Sequence, residues 1–384
     1  MSFSKDFVWG AATAAYQIEG GAFEDGKGLS VWDTCCKIDG FVRDGHTGNI
    51  ACDHYHKYKE DVKLMKEIGL KAYRMSISWP RVLPEGIGKV NEQGLDFYDR
   101  LIDELLENNI TPYITLFHWD YPQELFKKGG WLNSDSPEWF AEYSKVIAER
   151  LSDRVTHWIT ENEPQCYVGL GHQNGTHAPG LKLGMSEVLQ VSHNSLLAHG
   201  KAVQTLRQYS KVPCEIGYAP VGVVSIPNTN SAEDIAAARA HMFDIPSPNM
   251  FNNSWWMDPV LLGKYPENDL KAFEQWLPKI TSEDMKTIFQ PIDFLGVNIY
   301  HGVRVSMGQN NKPEIVDKKV GNEQTLMKWT VNPEALYWGP KFFYERYGKP
   351  IVITENGMSN IDWVILITLL FIIIQSIYLL SLDG

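Results

Sequence analysis

Short apolar runs alternate with longer amphipathic stretches along most of the chain, from residue 7 to about residue 354. An apolar run of about four to eight residues between turn residues is typical of a buried strand. On this pattern we predict seven strands, at residues 7–12, 71–78, 111–117, 156–160, 214–224, 294–298 and 351–354. The run at 214–224 differs from the others because glycines break it.

Segments with the apolar spacing of a helix lie between most of these strands. Apolar residues three or four positions apart predict helices at 54–68 (ended by Gly69), from the N-cap Asn91 to Leu105, at 139–151 and at 186–208. Strands that alternate with helices pair in parallel. Seven to eight such units favour a (β/α)8 barrel over an open doubly wound sheet, whose glycine-rich nucleotide fingerprint is missing here. We therefore predict the α/β class: one TIM-barrel domain over residues 1–364, with seven readable strands and an incomplete C-terminus.

Composition narrows the class of partner. The 384 residues are 44 % hydrophobic and 12 % aromatic, which excludes general disorder. The formal net charge of −12 argues against nucleic acid or an anionic membrane as the main partner. Thirteen Trp and seventeen Tyr residues suit a large core, with some left to line a pocket that stacks sugars. The oligomeric state is left open by the sequence.

The cysteines and the N-terminal residues indicate the cellular compartment of the protein. Five cysteines form no CxxC pair and have no histidine at metal-ligand spacing, so we expect free thiols and no metal site. The first six residues contain no apolar signal core. Both features predict a cytoplasmic protein.

Polar side chains follow the predicted strands at the points where the apolar runs end. In a barrel the C-terminal ends of the strands carry the active site, so these side chains should meet at one rim. The candidates are Gln17, Arg74, His118, Asn162, Glu163, Asn298, Tyr300 and Glu355.

Two of these candidates, Glu163 and Glu355, are carboxylates from the fourth and seventh strands. A pair of carboxylates in one site suits glycoside hydrolysis, in which one protonates the leaving oxygen and the other attacks the anomeric carbon. The acid needs a raised pKa, whereas the nucleophile must stay ionised. Arg74 would keep a nucleophile ionised by its charge, and Tyr300 would hydrogen-bond to it.

Six motifs along the chain resemble glycoside hydrolase family 1, the β-glucosidase family. They are FVWGAATAAYQIEGG at 7–21, YRMSISWPRVLP at 73–84, TLFHWDYPQEL at 115–125, WITENEP at 158–164, DFLGVNIY at 293–300 and VITENG at 352–357. The similarity runs in the order of the family from residue 7 to about residue 364. Six motifs in register are far more specific than any one of them alone.

The resemblance implies a role for each candidate residue. Glu163 would be the general acid/base and Glu355 the nucleophile, with Arg74, Tyr300 and Asn298 in support. The residues implied in sugar binding are Gln17, His118 and Asn162 at the innermost hydroxyls, Trp119 beside the sugar, and Trp329, within WTVNPEAL, against the leaving sugar.

The implied reaction is double displacement with retention. Carboxyl groups roughly 5 Å apart leave no room for a water between them, so one of them must attack directly. No metal or organic cofactor is required. The implied substrates are β-glucosides and short β-linked oligosaccharides such as cellobiose, which implies a part in cellulose degradation. Glu163 argues against the family's thioglucosidases, which carry Gln there, and the phosphate motif of phospho-glycosidases is not found in this chain.

The chain departs from the family after the nucleophile motif. The family continues with another helix, an eighth strand and a sugar-gripping motif of the type WSxxDNFEW, none of which appears here. Instead, an apolar run, VILITLLFIIIQSIYLL, fills 364–380, and we treat 365–384 as an anomalous tail. We weigh three hypotheses in descending order: truncation with a frame error, a surrogate for the eighth strand, and a membrane anchor. The anchor ranks last because the run has no flanking Lys or Arg.

This departure leaves a second hypothesis for function. Loss of the sugar-gripping motif would loosen the site, and a misplacement of about 1 Å can cost about 100-fold in rate. The alternative is therefore a truncated, catalytically weak or inactive homologue that keeps sugar binding.

Overall fold

The computed structural model describes residues 3–267 and 270–360. Ten strands lie in this part of the chain: β1 Gly10–Ala12, β2 Ala72–Ser76, β3 Thr111–Phe117, β4 His157–Asn162, β5 Glu215–Ala219, β6 Val224–Pro227, β7 Phe294–Asn298, β8 Gly302–Met307, β9 Pro313–Ile315 and β10 Ile351–Glu355. Seven of them form one parallel sheet in the order β1-β2-β3-β4-β5-β7-β10, which curves into a nearly closed barrel. The predicted α/β barrel with seven strands is confirmed.

Helices connect the strands of the barrel and pack around it. The α-helices of the described ranges are α1 Ala15–Ile18, α2 Val31–Cys35, α3 His54–Ile68, α4 Trp79–Val82, α5 Glu92–Glu107, α6 Gln123–Lys127, α7 Ser136–Leu151, α8 Met185–Tyr209, α9 Ala232–Phe243, α10 Ser254–Leu262, α11 Leu270–Phe273, α12 Ser282–Ile288 and α13 Ala335–Tyr347. A π-helix, Gln165–Asn174, follows β4. None of the described helices is long and apolar enough to cross a membrane.

The four predicted helices are confirmed as α3, α5, α7 and α8. Gly69 ends α3 in the left-handed conformation, as a C-terminal glycine does. Asn91 holds the N-cap position of α5, but the expected capping bond is absent. Its amide group instead donates to the carbonyls of Asp25 and Arg81, at 2.8 and 2.9 Å. The side chain therefore ties the start of α5 to the loop of Asp25 and to α4.

The strand predicted at 214–224 is wrong as one element. The chain forms β5, keeps one further parallel bridge to the barrel between Val221 and Asn298, and resumes as β6 in a second sheet with β8 and β9. The amide of Gly222 donates to the carbonyl of Asn298 at 2.9 Å, so the chain leaves the barrel after this glycine. The second sheet is separate from the barrel sheet, with β6 placed between β5 and β7 along the chain and β8 and β9 after β7.

The main sheet has two edge strands within the described residues, β1 and β10. All three residues of β1 are exposed, and Ile353 in β10 is 37 % exposed. The apolar run at 364–380 lies outside the described residues, so the three hypotheses for it stay predictions. The same holds for the division into a domain of 1–364 and a tail of 365–384.

Two irregularities in strand register precede the predicted carboxylates. The β4–β5 register shifts between Ile159 and Asn162, and the β10–β7 register shifts between Ile353 and Glu355. A shift of this kind re-aims the side chains that follow it, and such bulges are common beside active sites. Both shifts lie where parallel pairing has brought the strand ends to one rim.

A buried acid fixes the end of β4 to the surrounding helices. Oε2 of Glu161, Oη of Tyr167 and Oγ of Ser195 form a triangle with sides of 3.1, 3.0 and 2.5 Å. Both hydroxyls donate to Oε2 of Glu161, and burial raises the pKa of this carboxyl to about 8. The carboxyl group therefore joins β4 to α8 and to the π-helix.

Candidate active site

Glu355, at the end of β10, is held by two strong donors. Nη1 of Arg74 donates to its Oε1 and Oη of Tyr300 donates to its Oε2, both at 2.5 Å. Burial alone would raise the pKa of this carboxyl, but the Arg74 charge and the two hydrogen bonds outweigh burial and hold the pKa below its ordinary value. Glu355 is therefore ionised at neutral pH.

Glu163 has a different environment, although it lies on the same rim. It is 7 % exposed, and its Oε1 accepts from Nδ2 of Asn298 at 2.9 Å. Burial, and next the negative charge of Glu355, raise its pKa to about 7. At neutral pH this carboxyl therefore exchanges a proton, whereas Glu355 does not.

Asn162 connects the residues of the site. Its Oδ1 accepts from Nη2 of Arg74 at 2.6 Å and from Nδ2 of Asn298 at 2.9 Å. Its amide nitrogen therefore faces Nε2 of His118, at 3.1 Å, and this ring nitrogen must accept. The hydrogen of His118 then lies on Nδ1, because burial lowers the pKa of the ring to about 3 and keeps it neutral. Nδ1 is buried and has no hydrogen-bond partner among the described residues.

Backbone strain is concentrated at this rim. Glu163 has φ of 45° and Trp119 has φ of 78°, in the left-handed region. Such a conformation costs about 1–3 kcal/mol for a residue with a bulky side chain and is found mostly at functional sites. Nε1 of Trp119 donates to the carbonyl of Asn162 at 2.9 Å, so the two strained segments stabilise each other.

The other two predicted residues lie at the margin of the site. The Trp329 ring is partly buried, 5.3 Å from the ring of Tyr300 and 5.2 Å from that of His301. Gln17 is exposed on α1, and no contact within the described part of the chain links its side chain to either carboxylate. A hydrogen bond from the Ala15 amide to Oγ of Ser76 fixes α1 to the end of β2.

Three supporting residues were missed by the sequence reasoning. Oγ1 of Thr354 donates to Oδ1 of Asn298 at 2.6 Å, which fixes the direction of that amide. Oγ1 of Thr115 accepts from Nε of Arg74 at 2.9 Å, and the thiol of Cys166 lies 3.1 Å from Glu163. The two threonines could have been found, because each lies in a quoted motif near the end of a strand: Thr115 in TLFHWDYPQEL and Thr354 in VITENG. Cys166 follows its motif by two positions and gave no signal.

The arrangement combines an ionised carboxylate with a second carboxyl that can gain and lose a proton. A family model described as glycosyl hydrolase family 1 matches residues 1–366. The chain belongs to glycosyl hydrolase family 1. It is therefore a glycoside hydrolase, as the six motifs and the paired carboxylates predicted.

Curated relatives and solved structures of glycosyl hydrolase family 1 agree with this assignment. Beta-glucosidase A of Acetivibrio thermocellus is 48 % identical over 94 % of this chain and 80 % of its own length. The 1,4-beta-D-glucan glucohydrolase of Thermotoga neapolitana is 45 % identical, over 94 % of this chain and 83 % of its own. The beta-glucosidase from Thermotoga maritima in complex with glucoimidazole superposes with a TM-score of 0.84 at 43 % identity, over 94 % of this chain and 80 % of that one.

Proposed function

We propose that the chain is a retaining β-glucosidase in which Glu355 is the nucleophile and Glu163 is the general acid/base. The observation that carries the proposal is the difference in partners: Arg74 and Tyr300 donate to Glu355, whereas the donors to Glu163 are a neutral amide and a thiol. A cation and a phenol hold the pKa of Glu355 down, whereas burial and the Glu355 charge raise that of Glu163 to about 7. Such a pair divides the acid and nucleophile roles between chemically identical groups.

In the first half of the reaction, a carboxylate oxygen of Glu355 forms a bond to the anomeric carbon. The bond from that carbon to the leaving oxygen breaks, and Glu163 gives its proton to this oxygen. The product is a glycosyl ester on Glu355. Arg74 and Tyr300 position Glu355 for the attack through their hydrogen bonds to its two oxygens.

In the second half, a water replaces the leaving group. Glu163, now ionised, takes a proton from the water while the water oxygen attacks the anomeric carbon and Glu355 departs. Each displacement inverts the anomeric carbon, so two together retain its configuration. Asn298 supports both halves, because its amide group holds Glu163 and Asn162 at once.

The sugar-binding residues keep the roles implied by the resemblance. His118, Asn162 and Gln17 bind the hydroxyls of the innermost sugar. Trp119 borders the sugar, and the exposed part of Trp329 provides a surface on which the leaving sugar stacks.

The substrate class follows from the relatives. One is named a beta-glucosidase and another a 1,4-beta-D-glucan glucohydrolase. We therefore assign β-glucosides and short β-linked oligosaccharides such as cellobiose, and with them a part in cellulose degradation. The alternative of an inactive sugar-binding homologue is not favoured, because beta-glucosidase A of Acetivibrio thermocellus is 48 % identical over 94 % of this chain and both carboxylates are present with hydrogen-bond donors. The cytoplasmic location stays a prediction.

The stereochemistry of the product tests the mechanism. We expect p-nitrophenyl β-D-glucoside to release β-glucose first, with the α-anomer forming only later by mutarotation. Proton NMR of the anomeric signals within the first minutes distinguishes the two. If α-glucose forms first, the retaining mechanism is wrong. If no sugar is released while glucose still binds, the alternative of an inactive homologue is correct.

The pH profile of kcat/KM tests the two proposed protonation states. Glu163 must carry its proton to act as an acid, so hydrolysis should fall as pH rises through about 7. Glu355 must be ionised, so the acid limb should lie below the ordinary carboxyl range. Initial rates with cellobiose between pH 3 and 10 would show both limbs. Activity that still rises above pH 8 would contradict the assignment of Glu163.

A further inference from the structure

The second oxygen of Glu163 contacts a thiol. Oε2 lies 3.1 Å from Sγ of Cys166, which is three residues further along and 8 % exposed. The amide of Cys166 also donates to the carbonyl of Glu163 at 2.9 Å. This tight turn into the π-helix returns the thiol towards the carboxyl, so the contact is built into the backbone.

The thiol keeps its hydrogen in this position. Burial, and next the nearby charge of Glu163, raise the pKa of Cys166 well above its ordinary value. A protonated thiol donates one weak hydrogen bond, and its sulfur accepts one. As the donor to Oε2, it bonds most strongly to the ionised carboxyl.

We propose that Cys166 is a positioning residue for the acid/base step, donating its S–H to Oε2 of Glu163. The proposal rests on the proposed role of Glu163. Asn298 holds Oε1 in one direction, and Cys166 holds Oε2 in the other. The plane of the carboxyl group is thereby fixed while its proton leaves and returns.

The charges and donors around Glu163 determine what loss of the thiol would do. Burial and the Glu355 charge raise the pKa of Glu163, whereas Asn298, Cys166 and the Arg74 charge lower it. Tyr300 also faces this carboxyl, but burial and the Glu355 charge keep its hydroxyl protonated and neutral. Loss of the thiol hydrogen bond removes a contact that favours the ionised form, so the pKa of Glu163 should rise.

The test compares Cys166→Ala, which removes the donor, with Cys166→Ser, which keeps one. We expect the basic limb of kcat/KM for cellobiose to move up by about 0.5 to 1 pH unit in Cys166→Ala, the scale of one weak hydrogen bond to a charged group. The basic limb of Cys166→Ser should stay near that of the parent enzyme. Cys35→Ala is the matched control, because Cys35 is also a buried thiol and has no contact with Glu163.

Two results would overturn the inference. One is a basic limb that does not move in Cys166→Ala. The other is an equal shift in the alanine and serine variants, which would indicate a packing effect and no role for the donor. If Cys166→Ala does not fold, Cys166→Val, which lacks a donor and fills more of the thiol's space, takes its place under the same criteria.

A Glu163→Gln variant separates failure of this inference from failure of the proposed function. Its residual hydrolysis of an activated aryl glucoside should show no basic limb near pH 7. If that limb persists, Glu163 is not the acid, and the proposed function fails. If it disappears while Cys166→Ala behaves like the parent enzyme, only the role of the thiol is wrong.

Discussion

Replacing Glu355 by alanine is expected to lower kcat for p-nitrophenyl β-D-glucoside by about 10⁴-fold or more, the scale seen when a covalent nucleophile is removed. The substitution removes the atom that bonds to the anomeric carbon and leaves the Arg74 charge without its partner. Substrate binding should change far less than kcat, because the hydroxyl-binding groups stay in place. Steady-state kinetics, with isothermal titration of glucose for binding, would measure both.

The cavity left by Glu355→Ala allows a direct check of its role. Azide added to the variant should enter this cavity, attack the anomeric carbon of an activated β-glucoside and yield the α-glucosyl azide in a single inversion. Glu149→Gln, at an exposed position on the outer helix α7, serves as the control and should keep parental activity. Hydrolysis by Glu355→Ala within tenfold of the parent enzyme would exclude Glu355 as the nucleophile.

The barrel could be predicted because its inner strands, β2 to β5 and β7, are mostly buried. Ile114 and Leu295 belong to runs that are mainly apolar, and Gly69 marks the end of a helix. The second sheet was not predicted. Its strands are short, and the glycines near Pro220 resemble breaks within a longer strand. The alternation of apolar and polar residues that indicates a strand does not show where the chain leaves one sheet for another.

The sequence predicts which residues form the candidate site, but it does not predict how they are arranged. Motif spacing places Glu163 and Glu355 at strand ends, and the fold brings these ends together. Motif spacing cannot show the register shifts that precede the two carboxylates or the positive φ of Glu163, because both arise from packing between strands. It also cannot show Cys166 or Thr354 as partners, since each is recognised only by the atom it contacts.

The difference between the two carboxylates comes from the charge of their partners. Glu355 receives hydrogen bonds from a guanidinium and a phenol, and the guanidinium stabilises its negative charge at close range. Among residues 3–267 and 270–360, Glu163 receives hydrogen bonds only from an amide and a thiol, both neutral and together too weak to offset burial and the Glu355 charge. One cation on one side of the site therefore divides the roles, and Arg74 is the residue that carries it.

Replacing Glu163 by alanine should accordingly affect substrates in proportion to their need for an acid. For cellobiose, whose leaving alkoxide needs a proton, we expect a loss of about 10² to 10⁴ in kcat/KM. For 2,4-dinitrophenyl β-D-glucoside, whose leaving group needs none, the first displacement should remain nearly as fast as in the parent enzyme. Water then reacts slowly without a base, so the glycosyl ester on Glu355 should accumulate and be detectable by intact-protein mass spectrometry.

Azide distinguishes the two carboxylates by the face from which it attacks. In Glu163→Ala it should attack the accumulated glycosyl ester from the side opposite Glu355 and yield the β-glucosyl azide. In Glu355→Ala it should take the nucleophile's place and yield the α-anomer. The anomer identifies the face of the sugar on which each side chain acts, independently of any rate. If both variants gave the same anomer, the two roles could not be divided between Glu163 and Glu355 as proposed.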